Sequence, residues 1–312
     1  MSRILITGAN GMIGRTLIDV MAPAQRAGLV ASDLSNSGLP SDINFRILDV
    51  TGEDADIVIG DLKPDVVVHL ASIVTPPAGM GRHAAYAVDV QGTRNVLDAC
   101  LSHGVRRLVV TSSGAAYGYH ADNPVPLRES DACRGNPEFA YADHKRQVEE
   151  MLAQARQSNP ELEQVVLRVG TVLGAGTDNQ ITALFRKPRL LGVVGSESPF
   201  VFVWTNDLAQ ILLRAAIDGP AGIYNVAGDG ALGVSELASA LGKPVLRLPA
   251  WVLKAALAIA KPLGLSRYGP EQVRFLQYRP VLANDALKAD FGYVPVKSSA
   301  EVFELWRESV GL

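Results

Sequence analysis

The sequence predicts an α/β protein built on a doubly wound, Rossmann-type parallel sheet with a smaller C-terminal lobe. Two observations carry that expectation. Short runs rich in Val, Ile and Leu, without polar alternation, recur through the first 170 residues, and helical patterns separate them. Continuous apolar strands need cover on both faces, and strands alternating with helices pair side by side in one sheet. A third observation, the glycine-rich turn TGANGMIG directly after the first run, places a tight bend between a strand and a helix.

Taken in order, RILIT (3–7), GLVAS (28–32), FRIL (45–48), DVVVHL (65–70), RRLVVTSS (106–113) and QVVLRV (164–169) read as strands buried on both faces. Helices are expected around 12–22, 53–61, 83–103 and 140–157. Beyond residue 172 the pattern loosens, with Gly and Pro scattered through 174–200 and a Pro-interrupted helical region at 235–265. These features divide the chain into a dinucleotide-binding domain at 1–172, to which 201–226 returns, and a substrate-binding lobe from 173–200 and 227–312.

The 312 residues, 48% hydrophobic and 20% charged, can bury one large core or a main domain plus a lobe. A net charge of −3 with no dense Lys/Arg block argues against nucleic acid or an anionic membrane as partner and favours a small-molecule substrate. Cys100 and Cys133 have no metal-like spacing and are too few for a disulfide framework, which suits a reducing, cytoplasmic setting. MSRILITGANG runs directly into a strand pattern, so no export signal is expected. PAWVLKAALAIAKPLG (Pro249 to Gly264) is too short to span a bilayer and reads as a packed or partner-facing helix.

Gly8, Gly11 and Gly14 have G-x-x-G-x-x-G spacing and lead into Met12 and Ile13 at the start of a helix. Such a turn brings backbone close to a pyrophosphate, which the free N–H groups and dipole of the helix N-terminus stabilise. Asp33 ends the second strand, where a carboxylate can accept from the adenosine ribose hydroxyls and would repel a 2′-phosphate, favouring NAD over NADP. It is equally placed to be a turn residue in SDLSNSG. Asp49, followed by Val50, closes the third strand and could accept from the adenine amino group or serve as a loop Asp. Leu70, Ala71 and Ser72 follow the fourth strand at the carboxyl edge, where open α/β sheets bind ligands. His69 has no second ligand at metal spacing, so no metal is expected.

Ser112 and Ser113 end the fifth strand, and Tyr141 follows 28 residues after Ser113 in YADHK. At i and i+4 of a helix, Tyr141 and Lys145 share one face, a geometry that permits chemistry without requiring it. Glycine turn, strand-terminal Ser and downstream Y-x-x-x-K together resemble the extended short-chain dehydrogenase/reductase family, which includes the sugar-nucleotide epimerases and dehydratases. YAVDVQGTRNVL (86–97), LRVGTVLG (167–174) and VWTNDLAQILLRA (203–215) extend the resemblance over nearly the whole chain.

The resemblance implies that Tyr141 exchanges a proton with a substrate hydroxyl or carbonyl and that Ser113 bonds the reacting oxygen. Lys145 would lower the phenol pKa and hold the nicotinamide ribose, with hydride passing to and from NAD. Tyr117 lines the substrate pocket or packs. Thr171 stands where the family often has a substrate-binding Asn, and Arg274 is a candidate for a substrate phosphate, as is the run Arg186, Lys187 and Arg189. Gly114 and Ala115 occupy the positions of the dehydratase acidic pair, which disfavours dehydration. Asp89 stands where the family's block usually has Asn. The expected activity is an NAD-dependent epimerase of a sugar or sugar nucleotide. The alternative is an NAD-dependent dehydrogenase of a smaller hydroxyl or carbonyl compound, and a sensor without turnover is a third reading. A homodimer through the helices at 83–103 and 140–157 is a family-level expectation. Val88, Val96, Leu97 and Leu101 could face a partner or the sheet.

Overall fold

The apolar runs do become strands of one parallel sheet. The structure, a computed structural model, describes residues 2–74, 81–266 and 269–312. Its strands are β1 (Ile4–Thr7), β2 (Leu29–Asp33), β3 (Asn44–Ile47), β4 (Val66–His69), β5 (Arg107–Ser113), β6 (Glu163–Val169), β7 (Thr171–Leu173), β8 (Leu190–Val193), β9 (Phe202–Trp204), β10 (Gly222–Val226) and β11 (Val245–Leu248). The helices are α1 (Met12–Val20), α2 (Pro23–Arg26), α3 (Asp54–Leu62), α4 (Arg82–Tyr86), α5 (Gly92–Ser102), α6 (Ala140–Ser158), α7 (Gln180–Phe185), α8 (Thr205–Ile217), α9 (Val234–Ala240), α10 (Ala250–Ala260), α11 (Gln272–Gln277), α12 (Asp285–Ala289) and α13 (Ser299–Ser309).

Seven strands form the main sheet in the order β10-β6-β5-β4-β1-β2-β3, every neighbour parallel. From β1 the chain builds outward through β2 and β3, then returns to the other side with β4, so the topological switch point lies between β1 and β4. Period-2 alternation sends Ile4, Ile6, Val66, Val68, Val109 and Leu167 to a layer packed on α1 and α8. Leu5, Val67, Leu108, Val110 and Val166 point the opposite way, onto α3, α5 and α6.

Two details depart from the expectation. β3 is the sheet edge and is not buried on both faces: Ile47 is 68% exposed. The expected helix at 83–103 is broken into α4, a π turn at Ala87–Gln91, and α5. Thr93 Oγ1 donates to the Asp89 carbonyl at 2.7 Å, and the Asp89 side chain is drawn toward the end of β4. Single π turns of this kind commonly mark functional sites.

The apolar positions considered for a dimer contact divide in the structure. Val96 and Leu97 are buried in the layer against the sheet, Val88 and Leu101 are half-buried beside it, and α5 presents Arg94 and Asp98 to solvent. Cys100 is buried in the same layer, and Cys133 is half-buried with its thiol pushed up to about 12 by burial.

Outside the sheet, Phe185, Phe200, Phe202, Phe303 and Trp306 build a separate aromatic core that joins α7, β9 and α13. Phe185 meets each of the other four rings edge-on at 5.4–6.2 Å. In α10, Leu253 packs on Val193 and Val273, whereas Trp251 is 73% exposed. No helix among the described residues is long and apolar enough to cross a membrane.

Candidate active site

The glycine turn connects β1 to α1 at the switch point. Gly8 has φ +69°, and a Cβ there would lie 2.6 Å from the Ala71 backbone nitrogen. A Cβ at Gly14 would lie 2.5 Å from the Ala9 carbonyl oxygen. Neither position tolerates a side chain without moving backbone, which is what close packing of turn, helix and β4 requires. Gly11 caps α1 with no side-chain bond, so no cap claims the first-turn N–H groups. Met12 is exposed on that turn, and Ile13 packs half-buried against the core.

Asp33 stands beside the turn, accepting from Asn10 N at 2.9 Å and from Leu34 N at 2.7 Å. Its two oxygens keep further lone pairs for ribose hydroxyls. Asp49 lies beyond the end of β3, is exposed, and accepts from the Thr51 amide and hydroxyl. Val50 is buried, and its carbonyl accepts from Asn95 Nδ2. Leu70, Ala71 and Ser72 are half-buried after β4, where Ala71 closes on Gly8. A bare glycine cradle, an uncapped helix start and an oriented carboxylate fit the pyrophosphate and adenosine ribose of NAD. Gly8→Ala should therefore lower NAD affinity by about tenfold or more in a binding titration, since a new Cβ must displace Ala71. Unchanged affinity would remove the turn from the cofactor site.

At the same carboxyl edge of the sheet, Ser113 ends β5 and accepts from Ala115 N at 3.1 Å, capping the 3₁₀ turn Gly114–Tyr117. The Ser113 hydroxyl also acts on the Tyr141 phenol, favouring its ionised form, so the strand end and the start of α6 lie near one another. Lys145, 4% exposed, donates from Nζ to the Thr111 carbonyl at 2.9 Å and lies 5.7 Å from the Tyr141 ring centroid.

Lys145 alone does not produce the expected lowering of the phenol pKa. Burial pushes Tyr141 up, with Asp89 adding to it, and Ser113 opposes without reversing the shift. Burial likewise moves Lys145 down. A low-dielectric pocket penalises both charged forms, and the ammonium spends its hydrogen bond on a carbonyl.

Tyr117 requires a correction: it packs and does not line the cleft. It is fully buried, and its hydroxyl has the Arg128 carbonyl and Asn225 Oδ1 within reach of its one proton while accepting from Arg168 Nη1. Thr171 is half-buried at the start of β7, its amide donating to the Val201 carbonyl. Arg274 pairs with Glu138 at 3.2 Å and is half exposed. Arg186, Lys187 and Arg189 are all exposed, and Arg186 faces Asp178 at 4.0 Å. Ser112 Oγ is buried with no hydrogen-bond partner among the described residues. His69 bonds Thr7 and Thr93, and burial holds its pKa down to about 3, so it is a neutral internal residue. No metal-binding cluster occurs among the described residues.

Two features escaped the sequence reading. Arg279 stacks on Phe200 at 3.8 Å and on Phe275 at 4.6 Å, and its Nε–H meets no acceptor among the described residues. Burial pushes its pKa down to about 9, and the Tyr119 hydroxyl, which also acts on Tyr141, is the group that opposes this. The second feature is the buried pair Asp89–His144, 3.0 Å apart. Only the departure from Asn at position 89 hinted at it.

A parallel sheet with a glycine cradle at its switch point, and a Ser–Tyr–Lys group on the facing strand and helix, defines a dinucleotide-dependent oxidoreductase fold. Residues 4–227 match the NAD dependent epimerase/dehydratase family. The chain belongs to that family and is an NAD-dependent enzyme of the extended short-chain dehydrogenase/reductase type. An uncharacterized protein of Mycobacterium tuberculosis is 23% identical, the match covering 97% of this chain and 79% of that protein. The UDP-glucose 4-epimerase of Thermus thermophilus, solved with NAD, is similar in fold at a TM-score of 0.73 and 23% identity, covering 98% of each chain. The Thermotoga maritima UDP-glucose 4-epimerase, solved with UDP-glucose, gives a TM-score of 0.76 at 20% identity, covering 99% of this chain and 98% of that one.

Proposed function

We propose that the chain epimerises a sugar nucleotide by transient oxidation, with Ser113, Tyr141 and Lys145 as its catalytic group. The observation that supports this is Ser113 at the end of β5 acting on Tyr141 at the start of α6, with the glycine cradle at the same carboxyl edge of the parallel sheet. Bound NAD supplies the hydride acceptor and donor. The Tyr141 oxygen takes the proton from the substrate hydroxyl and returns it, Ser113 bonds the same oxygen, and Lys145 stabilises the phenolate as it forms. The 3₁₀ turn after Ser113 starts Gly114–Ala115 and offers no carboxyl group for eliminating water.

Arg279 favours a substrate that brings an anion. A half-buried guanidinium whose Nε–H is unclaimed, beside a tyrosine that acts on Tyr141, suits a diphosphate or a sugar carboxylate. The C-terminal lobe that carries it would hold the substrate, and the two structural relatives bound to NAD or UDP-glucose agree with such a pairing.

The test is a panel of nucleotide sugars, free sugars and sugar acids incubated with NAD and followed by NMR and absorbance. Interconversion of a nucleotide sugar without net NADH supports the reading. Steady NADH accumulation would replace it with the dehydrogenase reading. Arg279→Met should raise KM for the nucleotide sugar by about tenfold or more with little change in kcat, and an unaltered KM would remove the anion contact.

A further inference from the structure

Asp89 is a buried carboxylate that the reaction above does not use. It lies inside the π turn and is 1% exposed. One oxygen accepts from Ser72 Oγ and from Ile73 N, each at 2.8 Å, and the other accepts from His144 Nδ1 at 3.0 Å. His144 is buried to the same degree, sits edge-on to Tyr86 at 5.5 Å, and has no partner at Nε2 among the described residues.

Three donors on one carboxylate favour its ionised form. Burial works against ionisation, but His144, Lys145, the Ile73 amide and Ser72 together hold Asp89 below the ordinary carboxylate range. Few other charges reach this spot. From β4, His69 is neutral; from α6 come Tyr141, Lys145 and Glu149. Glu149 is committed to Arg168 through two bonds of 3.0 Å. Of the groups acting on both Tyr141 and Lys145, Asp89 is the shared one, and it is an anion.

We propose that Asp89, held in place by His144, is the counter-ion of this active site, favouring the cationic, oxidised cofactor over the reduced one. The proposal rests on the assignment of Tyr141 and Lys145 to the nicotinamide end of the cleft. Oxidised nicotinamide carries one positive charge that the reduced ring lacks, so a fixed anion in a low-dielectric pocket separates the two affinities. An epimerase gains from this bias, because a cofactor held toward its oxidised state returns the hydride instead of stalling as the reduced form. A chain with neutral Asn at this position would lack the term.

The experiment is a binding titration of the purified chain with NAD⁺ and with NADH, which needs no sugar and so stands or falls separately from the epimerase reading. In Asp89→Asn the vacant Nε2 of His144 allows the ring to carry its proton there and accept from the new amide through Nδ1. That variant, and the double variant D89N/H144S, should shift the affinity ratio toward NADH by roughly tenfold. His144→Gln keeps the carboxylate and a donor, and its ratio should stay near that of the parent chain. Equal losses of both affinities in either folded Asp89 variant, or an equal ratio shift in His144→Gln, would overturn the proposal in favour of a purely structural pair. Turnover gives a second readout. Loss of an anion lowers the pKa of every neighbouring acid, so both limbs of the pH–rate profile should move to lower pH, and limbs that stay fixed while the plateau drops would also overturn it.

Discussion

Tyr141→Phe is expected to lower turnover by about a thousandfold, the typical contribution of a positioned proton donor and acceptor, while NAD affinity stays within about twofold. The ring keeps its place at the start of α6, and Lys145 keeps its bond to the Thr111 carbonyl, so only the phenolic oxygen is lost. Single-turnover measurement of hydride transfer, with a parallel NAD titration, separates the two quantities. Near-parental turnover would sink the assignment of the proton transfer to Tyr141. The direction of the pH dependence follows from the same site. Burial and Asp89 hold the phenol above its ordinary value, so the basic form gains population as pH rises. Burial holds Lys145 below its ordinary value, so the stabilising ammonium is lost early on the alkaline side. Rate should therefore climb with pH from neutrality and fall again once Lys145 discharges, and Tyr141→Phe should abolish the rising limb.

How much of this was legible in the sequence depends on the range of the interaction. β1, β4 and β5 were readable because each is a run of buried apolar residues, and the glycine turn because three glycines in a row of eight residues have a backbone reason. Tyr141 and Lys145 were readable because helical spacing is local. β3 misled because an edge strand has the same apolar letters as a central one, and only its lack of a second neighbour exposes Ile47. Tyr117 misled for a different reason: its hydroxyl partners, Arg128, Arg168 and Asn225, are up to 108 positions away. Asp89 and His144 stand 55 apart, and Arg279 meets Phe200 across the lobe, so neither arrangement leaves a local pattern.

Arg168→Met is expected to cost about 3–5 kcal/mol of stability, the cost of leaving a carboxylate buried without its partner. Arg168 and Glu149 are 5% exposed each and share two bonds of 3.0 Å. The remaining guanidinium nitrogen donates to the Tyr117 hydroxyl at 2.8 Å and to the Glu129 carbonyl at 2.9 Å, and the group stacks over the Tyr117 ring at 4.9 Å. One cation therefore ties β6, α6 and the loop after the 3₁₀ turn into a single unit. Glu149 lies one helical turn beyond Lys145, so loosening it also releases the face of α6 that presents the proposed catalytic pair. Thermal and denaturant unfolding should show the loss, with Tm falling by roughly 5–15 °C. The pairing itself is a weak source of net stability, since both ions were taken out of water to make it. The double variant R168M/E149L removes the stranded charge and should recover more than half of the loss. A double variant no more stable than Arg168→Met would instead place the energy in the bonds to Tyr117 and Glu129, and activity in the two variants would then report whether α6 had kept its register.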